Sequence, residues 1–320
     1  MAVGGAFVRL AAASPEAGIN ATSAIRGVTD IGLGVTLGSN ILAIPLMVTA
    51  AYLATRKACI PDHGGHGRHR REHLLAIDPS AVTVQALPYL AIVALFAVLT
   101  LPAPWRGLQP VDGWILLGAY AAYLAQALLR GREEGERAYW RRKEVLLAVG
   151  GVVALAVGTY FAVQATESIA KAFGLSRIVA GLFITTPVAA LPEIFVTWNV
   201  ARSGQVTSGV TSVMGDHTVT LTVALLHLAL VGVPVSNLLL FSVNVAFVAL
   251  MPALYAAFVH WRGRSEHGFR RWHASAFLGV YLVYVALIVF WVQPFGGGSP
   301  QQGGEQPRSG VERALPAAPA

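Results

Sequence analysis

The sequence predicts an all-α polytopic membrane protein with about nine transmembrane helices. Three observations carry this expectation. Hydrophobic residues make up 55% of the 320 and charged residues 12%, against roughly 25% charged in a soluble domain. Mean hydropathy is +0.60. Short charged or Gly/Pro-rich connectors divide the chain into apolar stretches of about 20 residues, the length a helix needs to cross a bilayer. This composition excludes a soluble globular enzyme, a disordered chain and a coiled coil. The net charge of +7 would suit a nucleic-acid binder in a soluble protein. In a membrane protein a basic excess belongs to cytoplasmic loops, so the expected partner is the lipid bilayer and not nucleic acid. Cys59 is the only cysteine, which excludes an internal disulfide or a thiolate metal cluster. Met1 leads into apolar sequence with no basic region, so no cleavable signal peptide is expected.

In chain order the spans fall at 3–25, 29–55, 81–101, 111–130, 145–167, 177–201, 205–231, 236–259 and 274–293. The first is the weakest, because it holds Arg9, Pro15 and Glu16. The longest connector, 56–80, carries the run CIPDHGGHGRHRREH. Residues 294–320 are rich in Gly, Pro and Gln, a composition that predicts disorder. If the spans alternate, the connectors 56–80, 130–144, 202–204 and 260–273 share one side and hold sixteen Lys and Arg. The opposite side holds six. The basic side is expected to be cytoplasmic, with the chain beginning inside and ending outside a plasma membrane.

Two segments align without a gap at an offset of 177 residues. AASPE at 12–16 falls on AALPE at 189–193, and Gly4, Gly27, Gly32 and Gly38 fall on Gly181, Gly204, Gly209 and Gly215. These residues dictate backbone shape or place charge in lipid, so their shared offset predicts an internal repeat. By the charge count the first copy runs outward and the second inward. Inverted repeats with broken helices at mid-membrane are the architecture of many secondary transporters.

Each copy sets a proline beside a glutamate inside an apolar span. The proline removes a backbone N–H and leaves the carbonyls near Ala11 and Val188 without helix partners. In lipid such carbonyls are tolerated only where protein, water or a cation satisfies them. Glu16 and Glu193 supply negative charge at the same depth. An intramembrane acid costs about 2.5–3.5 kcal/mol on the insertion scale and is by default functional. Two carboxylates and freed carbonyls form a hard oxygen site, suited to Ca²⁺ or Na⁺, with Glu16 and Glu193 as the metal ligands. The glycine-dense helices GVTDIGLGVTLGSN (27–40) and GQVTSGVTSVMGDH (204–217) allow close helix approach. They are expected to bring Ser39 and Asn40, or Asp216 and His217, against the broken helix of the other copy. His217 and His227 are protonatable, which bears on proton coupling.

Blander readings stand beside these. A lone membrane proline is ordinarily a kink, and a glutamate near a helix end can snorkel to water. His227 reads as a packed, hydrogen-bonded helix residue, and Asp30 and Glu167 as solvated residues at span ends. For His63, His66, His69 and His73 the spacing fits no closed metal site. A basic loop facing anionic lipid is the favoured account of that connector.

At these residues the sequence resembles the sodium/calcium exchanger family, within the cation/calcium antiporter superfamily. That family has ten spans in two inverted halves, each with a G-T-S-x-P-E type motif followed by a G-N-x-x-G-S-N type motif. Here Pro–Glu recurs at 15–16 and 192–193, and Gly38–Ser39–Asn40 matches the second motif. The resemblance implies that Glu16 and Glu193 bind the transported Ca²⁺ and that Ser39 lines a sodium site. It implies halves at 1–130 (repeat 4–56) and 145–293 (repeat 177–231), joined by a cytoplasmic connector at 131–144. Nine spans against ten further imply that the family's first span is missing. Departures are also present. Ala12–Ala13 and Ala189–Ala190 replace the Thr–Ser pairs, Gly215–Asp216–His217 replaces G-S-N, and Ala43 and Thr220 stand where the family tends to carry Asn or Asp. Hydroxyl and amide ligands for Na⁺ are lost, with Thr185 and Thr186 as partial replacements, while Asp216 adds a titratable group that favours H⁺ coupling.

The expected function is therefore a secondary-active cation antiporter that exchanges Ca²⁺ for Na⁺ or H⁺. It would have no cofactor, and the cation would be held by Glu16, Glu193, Ser39, Asn40 and Asp216, with Thr185, Thr186, His217 and Thr220 as secondary candidates. The alternative is a non-transporting scaffold or sensor, or a truncated exchanger without function. No H-E-x-x-H or G-x-S-x-G motif occurs, so an enzyme is not expected. The sequence sets no oligomeric state.

Overall fold

The computed structural model describes residues 13–56, 69, 72–79, 82–104, 106–130, 142–260 and 267–292. The start of the first expected span, the histidines His63 and His66, connector residues 131–141 and the 294–320 tail lie outside the described residues. The helices in order are α1 (Ser14–Ile25), α2 (Thr29–Arg56), α3 (Val82–Thr100), α4 (Pro110–Arg130), α5 (Arg142–Phe173), α6 (Arg177–Arg202), α7 (Val206–Val231), α8 (Leu238–Val259) and α9 (Arg271–Val292). Seven of these are long and apolar enough to cross a membrane. Among the described residues, seven of the nine expected spans are thus supported on length and composition; α1 is described only from Ser14.

Two short antiparallel ribbons join the connectors. β1 (Leu74–Ala76) pairs with β4 (Gly268–Arg270), and β2 (Gly107–Leu108) pairs with β3 (Val233–Pro234). The first ribbon brings connectors 56–80 and 260–273 to one end of the protein. The charge count had assigned those two connectors to a single side.

α2 is the hub. It packs against α1, α6, α7, α8 and α9, and 94% of its most apolar stretch is buried, against 17% for α5. Glycine makes the central crossing possible. A Cβ on Gly34 of α2 would collide with the Ile178 carbonyl of α6, and a Cβ on Gly181 of α6 would collide with the Ile31 carbonyl of α2. The two backbones therefore touch directly, as small residues permit in membrane helix pairs.

The 177-residue offset reappears in three dimensions. α1 ends where Val28 N–H donates to the Ser23 carbonyl (2.9 Å) and Gly27 takes φ +66°. α6 ends with Gly204 at φ +96°, its N–H donating to the Ala201 carbonyl (3.1 Å). Both turns need the left-handed backbone that glycine adopts without strain. Asn20 of α1 donates to the Ala224 carbonyl of α7 (3.2 Å). Its counterpart Thr197 of α6 donates to the Met47 sulfur of α2 (3.0 Å). Each partner is again displaced by 177.

At the end opposite the β1–β4 ribbon, Glu167 of α5 is not the solvated residue its position suggested. Its side chain is 12% exposed and pairs with Arg26 of α1 (3.1 Å), Lys171 (3.1 Å) and Arg177 of α6 (3.3 Å). Arg26 also lies over the Tyr160 ring at 5.2 Å. One carboxylate thus ties three helix ends. The cations are part-exposed, and such pairs contribute about 1 kcal/mol or less each. Glu167→Gln is expected to lower the melting temperature of the purified protein by a few degrees, with a shrinking difference in high salt. Asp30, the other expected solvated acid, is half-buried.

Candidate cation-binding site

Each Pro–Glu pair opens a helix inside the protein. Pro15 and Glu16 occupy the first turn of α1, and Pro192 and Glu193 the first turn of the Leu191–Arg202 segment of α6. At that position the missing proline N–H costs no helix bond, and a carboxylate meets the positive end of the helix dipole. α6 reaches this start through an irregular stretch. A wide turn at Gly181–Thr185 leads into Thr186–Ala189, and Ala190 interrupts the helix. Pro192 has no N–H for the Val188 carbonyl four residues back. The break expected from the sequence is therefore present in α6. Its Ala11 counterpart lies outside the described residues.

Asp216 comes from α7. Glu16 and Asp216 are 1% and 4% exposed; Glu193 is half-buried as a residue, but both its carboxylate oxygens are buried. The three acids lie within electrostatic reach of one another. None of the six carboxylate oxygens receives a well-formed hydrogen bond. An ionised carboxylate only accepts, so facing carboxylates satisfy each other only through a shared proton or a cation. Leaving three such groups buried without partners would be strongly destabilising.

The neutral candidates are held by ordinary bonds. Ser39 donates to the Thr36 carbonyl (3.2 Å). Asn40 donates to the same carbonyl (2.7 Å) and accepts from the Tyr89 hydroxyl (2.7 Å). Thr185 shares a hydrogen bond with Thr166 of α5. Thr186 donates to the Gly181 carbonyl (3.0 Å), and Thr220 to the Asp216 carbonyl (3.1 Å). A hydroxyl that donates once keeps lone pairs for a cation. His217 is fully buried, with its ring 5.5 Å from the Tyr89 ring and close to the Ser39 backbone. Neither of its ring nitrogens has a well-formed partner.

The structure sets Glu16, Glu193 and Asp216, from α1, α6 and α7, within electrostatic reach of one another but not around a single ion position. Asn40 and His217 meet at Tyr89 in a second group, which adjoins the acids through the Asp216–His217 step of α7. Thr185 faces α5, and the Thr186 hydroxyl reaches the Val35 carbonyl of α2 (3.5 Å). Among the described residues, no three His, Cys, Asp or Glu side chains converge as a ready-made metal cluster. A cation here would draw hydroxyl and carbonyl oxygens as well as carboxylates, as hard cations do.

Sequence reasoning missed two residues. Asn20 lies one turn beyond Glu16 on α1, is fully buried, and donates to Thr36 (2.8 Å); its spacing from Glu16 was the available signal. Tyr89 orients Asn40 and gave no sequence signal. Of the loop histidines, His69 contacts the Tyr52 carbonyl (3.3 Å), while His73 contacts Arg56 (3.3 Å). His227 donates to the Ala224 carbonyl (3.1 Å), the packed role expected of it.

The fold is that of known ion exchangers. A structure of the sodium-calcium exchanger NCX_Mj soaked with 100 mM Na⁺ and 10 mM Sr²⁺ matches with TM-score 0.59 and 22% identity, covering 88% of this chain and 85% of that one. The same exchanger soaked with 2.5 mM Na⁺ and 0.1 mM Ca²⁺ matches with TM-score 0.58 and 22% identity, over 89% and 86%. At that identity the likeness shows the fold. Among curated proteins, no sequence matches the chain. The family model described as sodium/calcium exchanger protein matches residues 1–129 and 143–290, across both copies of the repeat. The chain therefore belongs to the sodium/calcium exchanger family of multi-pass membrane cation antiporters, which are transporters and not enzymes.

Proposed function

We propose that this antiporter binds Ca²⁺ between Glu16, Glu193 and Asp216 and exchanges it for Na⁺ or H⁺. The observation that carries the reading is the set of six buried carboxylate oxygens with no donor. Positive charge must enter such a site, either as a cation or as protons. Competition between the two produces exchange without a further device. Ser39 and Asn40 of α2, with Thr185, Thr186 and Thr220, are the further oxygen donors proposed to complete a shell of hard ligands. His217 borders the site as a neutral imidazole ligand or proton acceptor. The halves 1–130 and 145–293 supply one glutamate each, and the residue excess of Lys and Arg sets the β1–β4 end in the cytoplasm of a plasma membrane.

The test is ⁴⁵Ca²⁺ uptake into vesicles holding the purified protein, driven in turn by a Na⁺ gradient and a pH gradient. Uptake with either gradient supports the reading, and acid on the binding side is expected to inhibit it by competition. Absence of uptake under both would leave the second reading, a non-transporting sensor. The observation favouring that one is the replacement of hydroxyl-bearing pairs by Ala12–Ala13 and Ala189–Ala190.

A further inference from the structure

We infer that His260 and His267 form a binding site for a divalent transition metal at the C-terminal end of α8, apart from the carboxylate site. His260 follows the last residue of α8, and its Nδ1 meets the Ala256 carbonyl at 3.1 Å. The Nδ1 of His267 meets the Val259 carbonyl at 3.2 Å. A carbonyl only accepts, so in both rings Nδ1 carries the proton and Nε2 keeps its lone pair. That arrangement, one ring nitrogen anchored to a backbone carbonyl and the other free, is the one in which histidine ligates metals. Both anchors belong to the last turn of one helix, so the two rings stand together at its C-terminal end.

The spacing suits a shared ion. The ring centres lie 5.3 Å apart with planes at 64°. Two imidazoles on one tetrahedral ion hold their ring centres roughly 5.2 Å apart, given metal–nitrogen bonds of about 2.0–2.1 Å. The backbone N–H of His260 donates to the Ala256 carbonyl (3.3 Å), and the carbonyl of His267 accepts from Ile77 (3.2 Å) beside the β1–β4 ribbon. His260 is exposed and His267 half-buried, so an ion can reach them from solvent. A cation there also meets the negative end of the α8 dipole. Imidazole pairs select Zn²⁺, Ni²⁺ or Cu²⁺ over Ca²⁺ and Mg²⁺, with water completing the shell.

The competing account is that both rings merely cap α8. Asparagine separates the two, because its amide nitrogen replaces the Nδ1 donor and offers nothing in place of Nε2. The test is titration of the full chain in detergent with Cu²⁺ and with Zn²⁺. Calorimetry gives affinity, and Cu²⁺ paramagnetic resonance counts the bound nitrogens. The expected result is one saturable site with two imidazole nitrogens. Affinity should fall at least tenfold in both His260→Asn and His267→Asn, with the metal-free melting temperature unchanged. Unaltered affinity in both variants would place the metal elsewhere, and absence of saturable binding by the native chain would leave the caps alone; either result overturns the inference. Calcium flux is not the readout, so this outcome is independent of the proposed transport.

Discussion

Glu193→Gln is expected to abolish cation exchange in reconstituted vesicles while leaving the protein folded. Glutamine keeps the size and one carbonyl oxygen but removes the charge. A divalent cation in a dry core depends on that charge, so flux should fall at least about 100-fold, equivalent to about 2.7 kcal/mol. The fold should not suffer. The new amide can donate toward Asp216, which has no donor now, and supplying a missing partner to a buried acceptor is favourable. Circular dichroism and melting temperature check the fold, and ⁴⁵Ca²⁺ and ²²Na⁺ flux check the function. Glu16→Gln should behave alike, because the repeat sets it at the equivalent helix start. Native flux of both ions in Glu193→Gln would remove the carboxylate mechanism altogether.

Gly181→Ala and Gly34→Ala are expected to be the most destabilising Gly→Ala changes within the described helices. Alanine normally improves a helix by about 1 kcal/mol over glycine. At these two positions the added methyl meets a backbone carbonyl of the partner helix, which cannot rotate away as a side chain could. Overpacking of this kind costs about 1–3 kcal/mol, occasionally more, measurable as a lower denaturation midpoint in detergent. Both methyls press on the same α2–α6 crossing, so the double variant should depart from additivity. Gly158→Ala on α5 and Gly279→Ala on α9 are the controls. Nothing lies within 4 Å of their added Cβ, and they should be neutral or slightly stabilising. Equal effects at all four positions would mean that α2 and α6 do not touch as described.

Much of this was legible in the sequence because membrane helices announce themselves by length and polarity. The expected 29–55 span appears as Thr29–Arg56 and the expected 236–259 span as Leu238–Val259. The repeat was legible because Gly27, Gly32, Pro15 and Glu16 act through backbone or charge, which leaves little freedom for substitution. What stayed hidden depends on partners far along the chain. Nothing near Tyr89 says that it will hold Asn40, and nothing near Glu167 says that Arg26, 141 residues away, will pair with it. Asp216 is visible in the sequence as an acid within an apolar stretch, but its burial beside the other two acids needed the folded helices. The ribbons β1–β4 and β2–β3 were also missed, since strands of two or three residues leave no periodicity to read.

Those ribbons limit how the molecule can rearrange. Each stitches a connector of the first half to one of the second, and they sit between different helix pairs. Two rigid halves rocking about a midline would tear both seams. Any opening of a path to the acids must therefore spare the sewn framework and fall to segments that no seam crosses. The loosely embedded α5 and the irregular opening stretch of α6 meet that condition, so a cross-link from α5 to α2 should jam the cycle where one from α3 to α8 would pass unnoticed.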